Sequence, residues 1–280
     1  MTTHPKDPAR WRQCLQGRAG VFSYTGDPRF TYSLYVPPPD PQQPPPGLLV
    51  TVHHSLRNFI ECRDLFSDFA QRHRLVVLAP LFPINVLGDG EADGYKYLVE
   101  GPLRYDLLLD GMVQAVAADT GCDGSRFLLQ GYSGGGHFAQ RYFLLHPQRL
   151  RAVAIGAPGQ VTLLDDQADW WAGVRDIGER FGRPLDLAAL RRVPVQLVVG
   201  SEDTRTDEIG PAPPSRYWRS EEERRQSHRG DRLRKLQQSY ADAGITAELE
   251  VMPGVPHGHG TTPAIALAQR FFERCLSVDG

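Results

Sequence analysis

Short runs of β-branched and apolar residues alternate along the chain with longer stretches in which apolar residues recur at helical spacing. That alternation predicts repeated βα units, hence an α/β fold around a mostly parallel sheet with helices on both faces. Two opening runs, Val21 to Tyr24 and Phe30 to Val36, are separated by the turn residues Thr25-Gly26-Asp27-Pro28, which predict a hairpin and an antiparallel N-terminal edge. Leu48 to His53, Leu75 to Pro80, Phe127 to Gln130, Ala152 to Ile155, Val195 to Gly200 and Ala247 to Val251 then read as buried strands. Phe138, Tyr142 and Leu145 share one face of a helix that should end at Pro147. Leu233, Leu236, Tyr240 and Ala243 place a second helix within about 215–243, where Glu221-Glu222-Glu223-Arg224-Arg225 reads as a solvated face. A final helix should begin near Pro263. Pro37 to Gly47 carries too many prolines for a helix or an interior strand and should run exposed; docking of a partner on these prolines is the weaker reading.

Composition narrows the picture. The 280 residues suit one domain spanning 1–280. With 41% hydrophobic and 23% charged residues the chain has the balance of a globular protein. Lys plus Arg total 31 against 33 Asp plus Glu, a net charge of -2, so nucleic acid is not an expected partner. No stretch approaches the roughly 18 apolar residues of a membrane span, and the segment MTTHPKDPARWRQ lacks an apolar signal core; a cytoplasmic location without membrane association is the expectation. Cys14, Cys62, Cys122 and Cys275 form no C-x-x-C pair, so buried or half-buried free thiols are expected rather than a metal or redox site.

The strongest chemical signal is Gly131-Tyr132-Ser133-Gly134-Gly135, set between an apolar strand and an amphipathic helix. A G-x-S-x-G nucleophile elbow requires that context, because its serine sits on a sharp, strained turn whose flanking positions must be nearly free of side chain. The helix N-terminus under Ser133 offers free N–H groups for a developing oxyanion, with Gly134 as one donor.

A serine hydroxyl is a weak nucleophile without a base, and the base needs a carboxylate to hold its tautomer. In this arrangement both lie downstream, acid first. The run VPVQLVVGSEDTRTD ends a strand at Gly200 and supplies Asp203 as the candidate acid, with Glu202 and Asp207 as alternatives. The run AELEVMPGVPHGHGTTP leads a last strand into a loop bearing His257 and His259. His257 is the candidate base; His259 lines the site or replaces it. A metal reading of these histidines with His53 and His54 lacks both an H-E-x-x-H motif and a carboxylate companion.

With the three motifs in this order the chain resembles the α/β-hydrolase superfamily over nearly its whole length. In detail it is similar to bacterial esterases of the polyhydroxyalkanoate-depolymerase and feruloyl-esterase type, through LLVTVHHSLRN, LVVLAPLFP, LLQGYSGGG and VMPGVPHGHG. The resemblance implies a His-Gly pair after the third strand, followed by the second oxyanion donor. Here that pair is His53-His54, so the donor position falls on Ser55, and Leu56 stands where a second glycine is common. His54 adds a ring donor. The resemblance also implies a lid inserted after the sixth strand, here 157–192, whose Trp170 and Trp171 would either suit an apolar acyl or aryl group or pack the lid onto the core. Phe82 and Tyr95 are further candidates for the pocket wall, and Tyr132 and Leu56 for its rim.

These features together predict a serine hydrolase that cleaves an ester or amide of a small molecule through an acyl-enzyme, without metal or cofactor. C–C bond hydrolysis, acyl transfer and peptidase action use the same triad. A non-catalytic binding member of the fold is the alternative of another class.

Overall fold

The computed structural model describes residues 7–206, 215–218 and 227–277. Its framework is one eight-stranded sheet: β1 (Gly17–Ser23), β2 (Thr31–Val36), β3 (Gly47–Val52), β4 (Leu75–Leu81), β5 (Phe127–Tyr132), β6 (Leu150–Gly156), β7 (Val195–Gly200) and β8 (Ala247–Met252). Their spatial order is β1-β2-β4-β3-β5-β6-β7-β8. β1 and β2 pair antiparallel, β2 runs antiparallel to β4, and every other neighbour is parallel. This is the predicted parallel sheet with an antiparallel N-terminal edge. β5 lies inside it, with Val52 of β3 beside Gly131 and Gly156 of β6 beside Tyr132.

Both faces of the central strands are covered, which is why these strands read as continuous apolar runs. On one face the core of Val50, Val76, Leu78, Leu129 and Val153 meets three helices, α1 (Tyr105–Thr120), α2 (Gly134–Leu145) and α3 (Arg229–Asp242). On the other, Leu49, Val77, Leu128 and Ala154 meet the short helices Phe59–Leu65 and Ser67–His73 and the last helix, α4 (Thr261–Ser277). α4 delivers Ile265, Phe271 and Phe272 to that layer; burying each large side chain contributes about 1.5–3 kcal/mol. No described helix is long and apolar enough to cross a membrane.

Three boundaries and one thiol depart from the sequence pattern. β1 begins at Gly17, ahead of Val21, because Arg18 pairs with Tyr35 although Gly17-Arg18-Ala19-Gly20 shows no apolar alternation. The register slips between Arg18 and Val21, and the buried Arg63 donates to the carbonyls of Ala19 and Leu34, closing that edge. α2 starts directly after Ser133, ahead of Phe138, since its glycines enter the helix. Of the helix expected within 215–243, residues 215–218 form a turn and α3 starts at Arg229; Glu221 to Arg225 lies outside the described residues. Cys14 is exposed rather than buried, and all four thiols are free.

One buried ionic knot fixes α1 against the end of α2. Asp106, fully buried in the first turn of α1, accepts from Arg104 Nη2 at 2.7 Å and from His146 Nε2 at 2.8 Å. Burial pushes its carboxyl up, yet His146 and Arg104 outweigh that and hold it below the usual carboxylate range. A carboxyl with a depressed folded-state pKa contributes stability above its unfolded value and loses it as pH falls through the folded value. Asp106→Asn should therefore lower stability by about 3 kcal/mol near neutral pH, as expected for one partner removed from a buried pair. Denaturant titrations of both proteins should converge as pH drops below about 4, the unfolded value for Asp.

Candidate active site

β5 ends at Tyr132, and the chain turns into α2 through Ser133 with φ 55° and ψ -112°. A side chain in this left-handed region is strained by about 1–3 kcal/mol, so the surroundings must hold it there. The Ser133 N–H donates to Gly156 O at 2.8 Å, and its carbonyl accepts from the His137 N–H at 3.0 Å. The turn also needs backbone packed on backbone. A Cβ on Gly131 would stand 2.0 Å from Gly135 O, and one on Gly135 would stand 2.0 Å from Val52 O.

Three loops at the C-terminal ends of parallel strands converge on this turn. Asp203 follows β7 and His257 follows β8. Ser133 Oγ lies 2.9 Å from His257 Nε2, and His257 Nδ1 lies 2.7 Å from Asp203 Oδ2. With Nδ1–H donating to the carboxylate, Nε2 is left to accept from the hydroxyl. Asp203 is buried, which raises its pKa, but His257 and then Arg229 bring it below the ordinary carboxylate value, so it is ionised at neutral pH. Its second oxygen, Oδ1, accepts from Arg229 Nη1 at 2.8 Å. The loop after β8 is tied back to β5 by Tyr132, whose hydroxyl donates to His257 O at 3.0 Å and whose ring stacks on the imidazole at 5.4 Å.

The segment after β3 approaches the first turn of α2. A Cβ on Gly134 would lie 3.1 Å from Ser55 N and 2.1 Å from Tyr95 Oη, so the Gly134 and Ser55 backbones share one small space. Gly134, first residue of the helix, has no intrahelical acceptor for its N–H. His53 braces this segment from below: Nδ1–H donates to His54 O at 2.8 Å and Nε2 accepts from the Phe82 N–H at 3.0 Å. Full burial holds its pKa down at about 3, so the ring is neutral. Arg57 braces it from the side through the carbonyls of Ser55 and Phe82. His54 Nδ1 accepts from the Leu56 N–H at 3.0 Å.

A cavity of about 310 Å³ opens beside Ser133, bordered by His54, Leu56, Tyr132, Arg229, His257 and Thr261 among others. A larger recess of about 740 Å³ lies at the opposite ends of the strands, lined by Arg126, Arg192 and Arg274, away from the serine.

The structure thus brings Ser133, Asp203, His257, Gly134, Ser55, His54, Leu56 and Tyr132 together and separates the remaining candidates from the cavity. Phe82 and Tyr95 are core residues, their rings tilted against one another at 5.7 Å. Trp170 and Trp171 are buried too: their ring N–H groups bond the carbonyls of Tyr97 and Tyr217, so they anchor residues 157–192 to the body instead of facing substrate. His259 is exposed and does not border the cavity, because the short 3-10 turn His257–His259 carries it away from the serine. Glu202 is exposed, and Asp207 lies outside the described residues. Among the described residues no cluster of three His, Cys, Asp or Glu side chains could hold a metal ion. Arg229 is the site residue that sequence reasoning missed, since an arginine opening a charged helix reads as solvated.

No family model matches the chain. It is similar in structure to poly(aspartic acid) hydrolase-1 from Sphingomonas sp. KT-1, with a TM-score of 0.71 and 22% identity over 91% of this chain and 98% of that one. The poly(3-hydroxybutyrate) depolymerase of Bordetella parapertussis aligns with a TM-score of 0.67 and 24% identity, over 87% and 85% of the two chains. An S-formylglutathione hydrolase from Agrobacterium tumefaciens aligns with a TM-score of 0.60 and 18% identity, over 92% and 94%. Strand order, the elbow after β5 and these alignments agree on one architecture: the chain has the α/β-hydrolase fold.

Proposed function

We propose that this protein is a serine hydrolase cleaving a carboxylic ester of a small molecule through an acyl-enzyme. The observation that carries the reading is the continuous hydrogen-bonded series Ser133–His257–Asp203, at 2.9 and 2.7 Å, with an ionised carboxylate at its end. Ser133 Oγ attacks the carbonyl carbon while His257 takes its proton, giving a tetrahedral intermediate whose oxyanion is received by the Gly134 and Ser55 N–H groups. The C–O bond to the leaving alcohol breaks as His257 returns the proton to it. Water, deprotonated by the same imidazole, then releases the acid and restores Ser133. Asp203 fixes the imidazole tautomer and stabilises the imidazolium. The ester reading accords with solved structures of this fold that include a poly(3-hydroxybutyrate) depolymerase and a ferulic acid esterase. An amide is the second substrate for the same steps.

Ser133→Ala should abolish turnover of a p-nitrophenyl ester while changing thermal stability by less than about 1 kcal/mol. His257→Ala should be equally inactive and the double variant no worse, because triad members act as a unit. Asp203→Asn should lose up to about four orders of magnitude, whereas His259→Ala should keep at least about a tenth of the activity, a change of 1.4 kcal/mol or less. Failure of a fluorophosphonate probe to label Ser133 in folded protein would instead identify a non-catalytic binding member of the fold.

Gly134→Ala probes the oxyanion site separately. Its Cβ must displace Tyr95 Oη and crowd Ser55 N, so kcat should fall by about 10²-fold or more, the scale of one lost oxyanion donor. Labelling of Ser133 should persist, because the nucleophile and its base are untouched. Unchanged kcat would move the oxyanion site elsewhere.

A further inference from the structure

Two arginines on the helices beside Ser133 are buried, and one of them, Arg229, borders the cavity. Arg141 of α2 is completely buried, and Arg229 at the start of α3 is 5% exposed. Arg141 is held by neutral groups: it donates to Thr162 Oγ1 at 3.0 Å and to Lys96 O, and it lies over the rings of Tyr97 and Trp171. Burial pulls its pKa down to about 10, which leaves it protonated at neutral pH. Arg229 faces Asp203, whose other oxygen is already committed to His257. Among the described residues the buried carboxylates are Glu100, Asp106 and Asp203. Glu100 is bonded to Tyr105 and Asp106 to Arg104 and His146, so of these three it is Asp203 that faces one of the two guanidinium groups, that of Arg229. Each of those groups also keeps a buried N–H without an acceptor, Arg141 Nη2 and Arg229 Nε. Burying a cation without a full set of partners is unfavourable, and active sites hold such charge to meet an incoming anion.

The front of the cavity repeats the pattern. The Leu56 N–H donates to His54 Nδ1, and burial lowers the pKa of that ring, so the neutral imidazole carries its hydrogen on Nε2 and borders the cavity as a donor. Among the described residues no Asp or Glu side chain borders the cavity. Glu61, the carboxylate that acts on His54, is exposed and bonded to Asn58, and Lys96 near Gly134 is neutralised by Asp93 at 2.6 Å. Two of the side chains bordering the cavity, His54 and Arg229, therefore present N–H donors, beside the hydroxyls of Ser55, Tyr132 and Thr261, which can donate or accept.

Building on the esterase reading above, we infer that the site selects esters whose acyl chain ends in a carboxylate, received by His54 Nε2–H and the Arg229 guanidinium. The anion is matched by the Arg229 guanidinium bordering the cavity, and the cavity of about 310 Å³ has room for an acyl chain of several carbons.

The test compares kcat/KM of the full chain for p-nitrophenyl hydrogen adipate and p-nitrophenyl hexanoate, which share a six-carbon acyl chain and differ in the terminal carboxylate. The adipate monoester should be preferred by at least about tenfold at low salt, mainly through KM, with the preference shrinking in 0.5 M NaCl as charge is screened. His54→Phe should cut the preference severalfold, and an unchanged ratio removes His54 from recognition. Turnover of hexanoate at an equal or higher kcat/KM overturns the inference and leaves the esterase reading standing. Cleavage of neither ester, with Ser133 still labelled by a fluorophosphonate, also overturns it. Cleavage of neither, without labelling, overturns the esterase reading itself and the inference with it.

Discussion

The close approach of four backbones around Ser133 is the constraint on which the rest depends. β3, β5, β6 and the first turn of α2 meet where any side chain would collide with a main-chain carbonyl: a Cβ on Gly136 would stand 2.3 Å from Gly156 O, much as those on Gly131 and Gly135 would meet Gly135 and Val52. Close approach lets the Gly156 carbonyl take the Ser133 N–H and lets the Ser55 segment reach the helix end. The unfavourable φ at Ser133 is thus distributed over many contacts, and the hydroxyl is delivered to the sheet's rim in one orientation.

α2 extends that order outward through polar groups that an apolar helix would lack. His137 Nε2 accepts from the Gly159 N–H at 2.8 Å, and Gln140 exchanges hydrogen bonds with the Thr162 backbone. Arg141 reaches the Thr162 hydroxyl, which in turn donates to Trp171 O at 2.6 Å. Each bond satisfies a buried group that would otherwise be destabilising by about 1–3 kcal/mol. Together they fix residues 159–171 on the helix that carries the nucleophile, and they leave Trp170 and Trp171 facing inward.

Much of this was legible in the sequence because it rests on local chemistry. The alternation of apolar runs and helical stretches gave the parallel sheet, and the glycines around Ser133 between strand and helix marked the elbow. The order of acid and base placed Asp203 and His257 on the loops where they are found. What escaped notice depends on distant partners. Nothing local marks Arg229 as buried, since its burial comes from Asp203 across the molecule. Trp170 and Trp171 suit a pocket or a core equally well until the carbonyls of Tyr97 and Tyr217 are seen to hold them. The start of β1 was hidden because Arg63, not an apolar pattern, completes that edge. His257 and His259 share similar glycine-rich surroundings, and it is the 3-10 turn that separates them.

Tyr132 directly precedes Ser133, yet its side chain serves His257. Its hydroxyl holds the His257 carbonyl and its ring supports the imidazole, while a Cβ at Gly260 would stand 1.7 Å from its oxygen. The loop after β8 is therefore gauged from β5, the same strand that aims Ser133. A small displacement of that strand carries Ser133 with it and, through the Tyr132 hydroxyl, pulls on His257 as well. The entropy of bringing His257 to Ser133 is met when the chain folds, not afterwards.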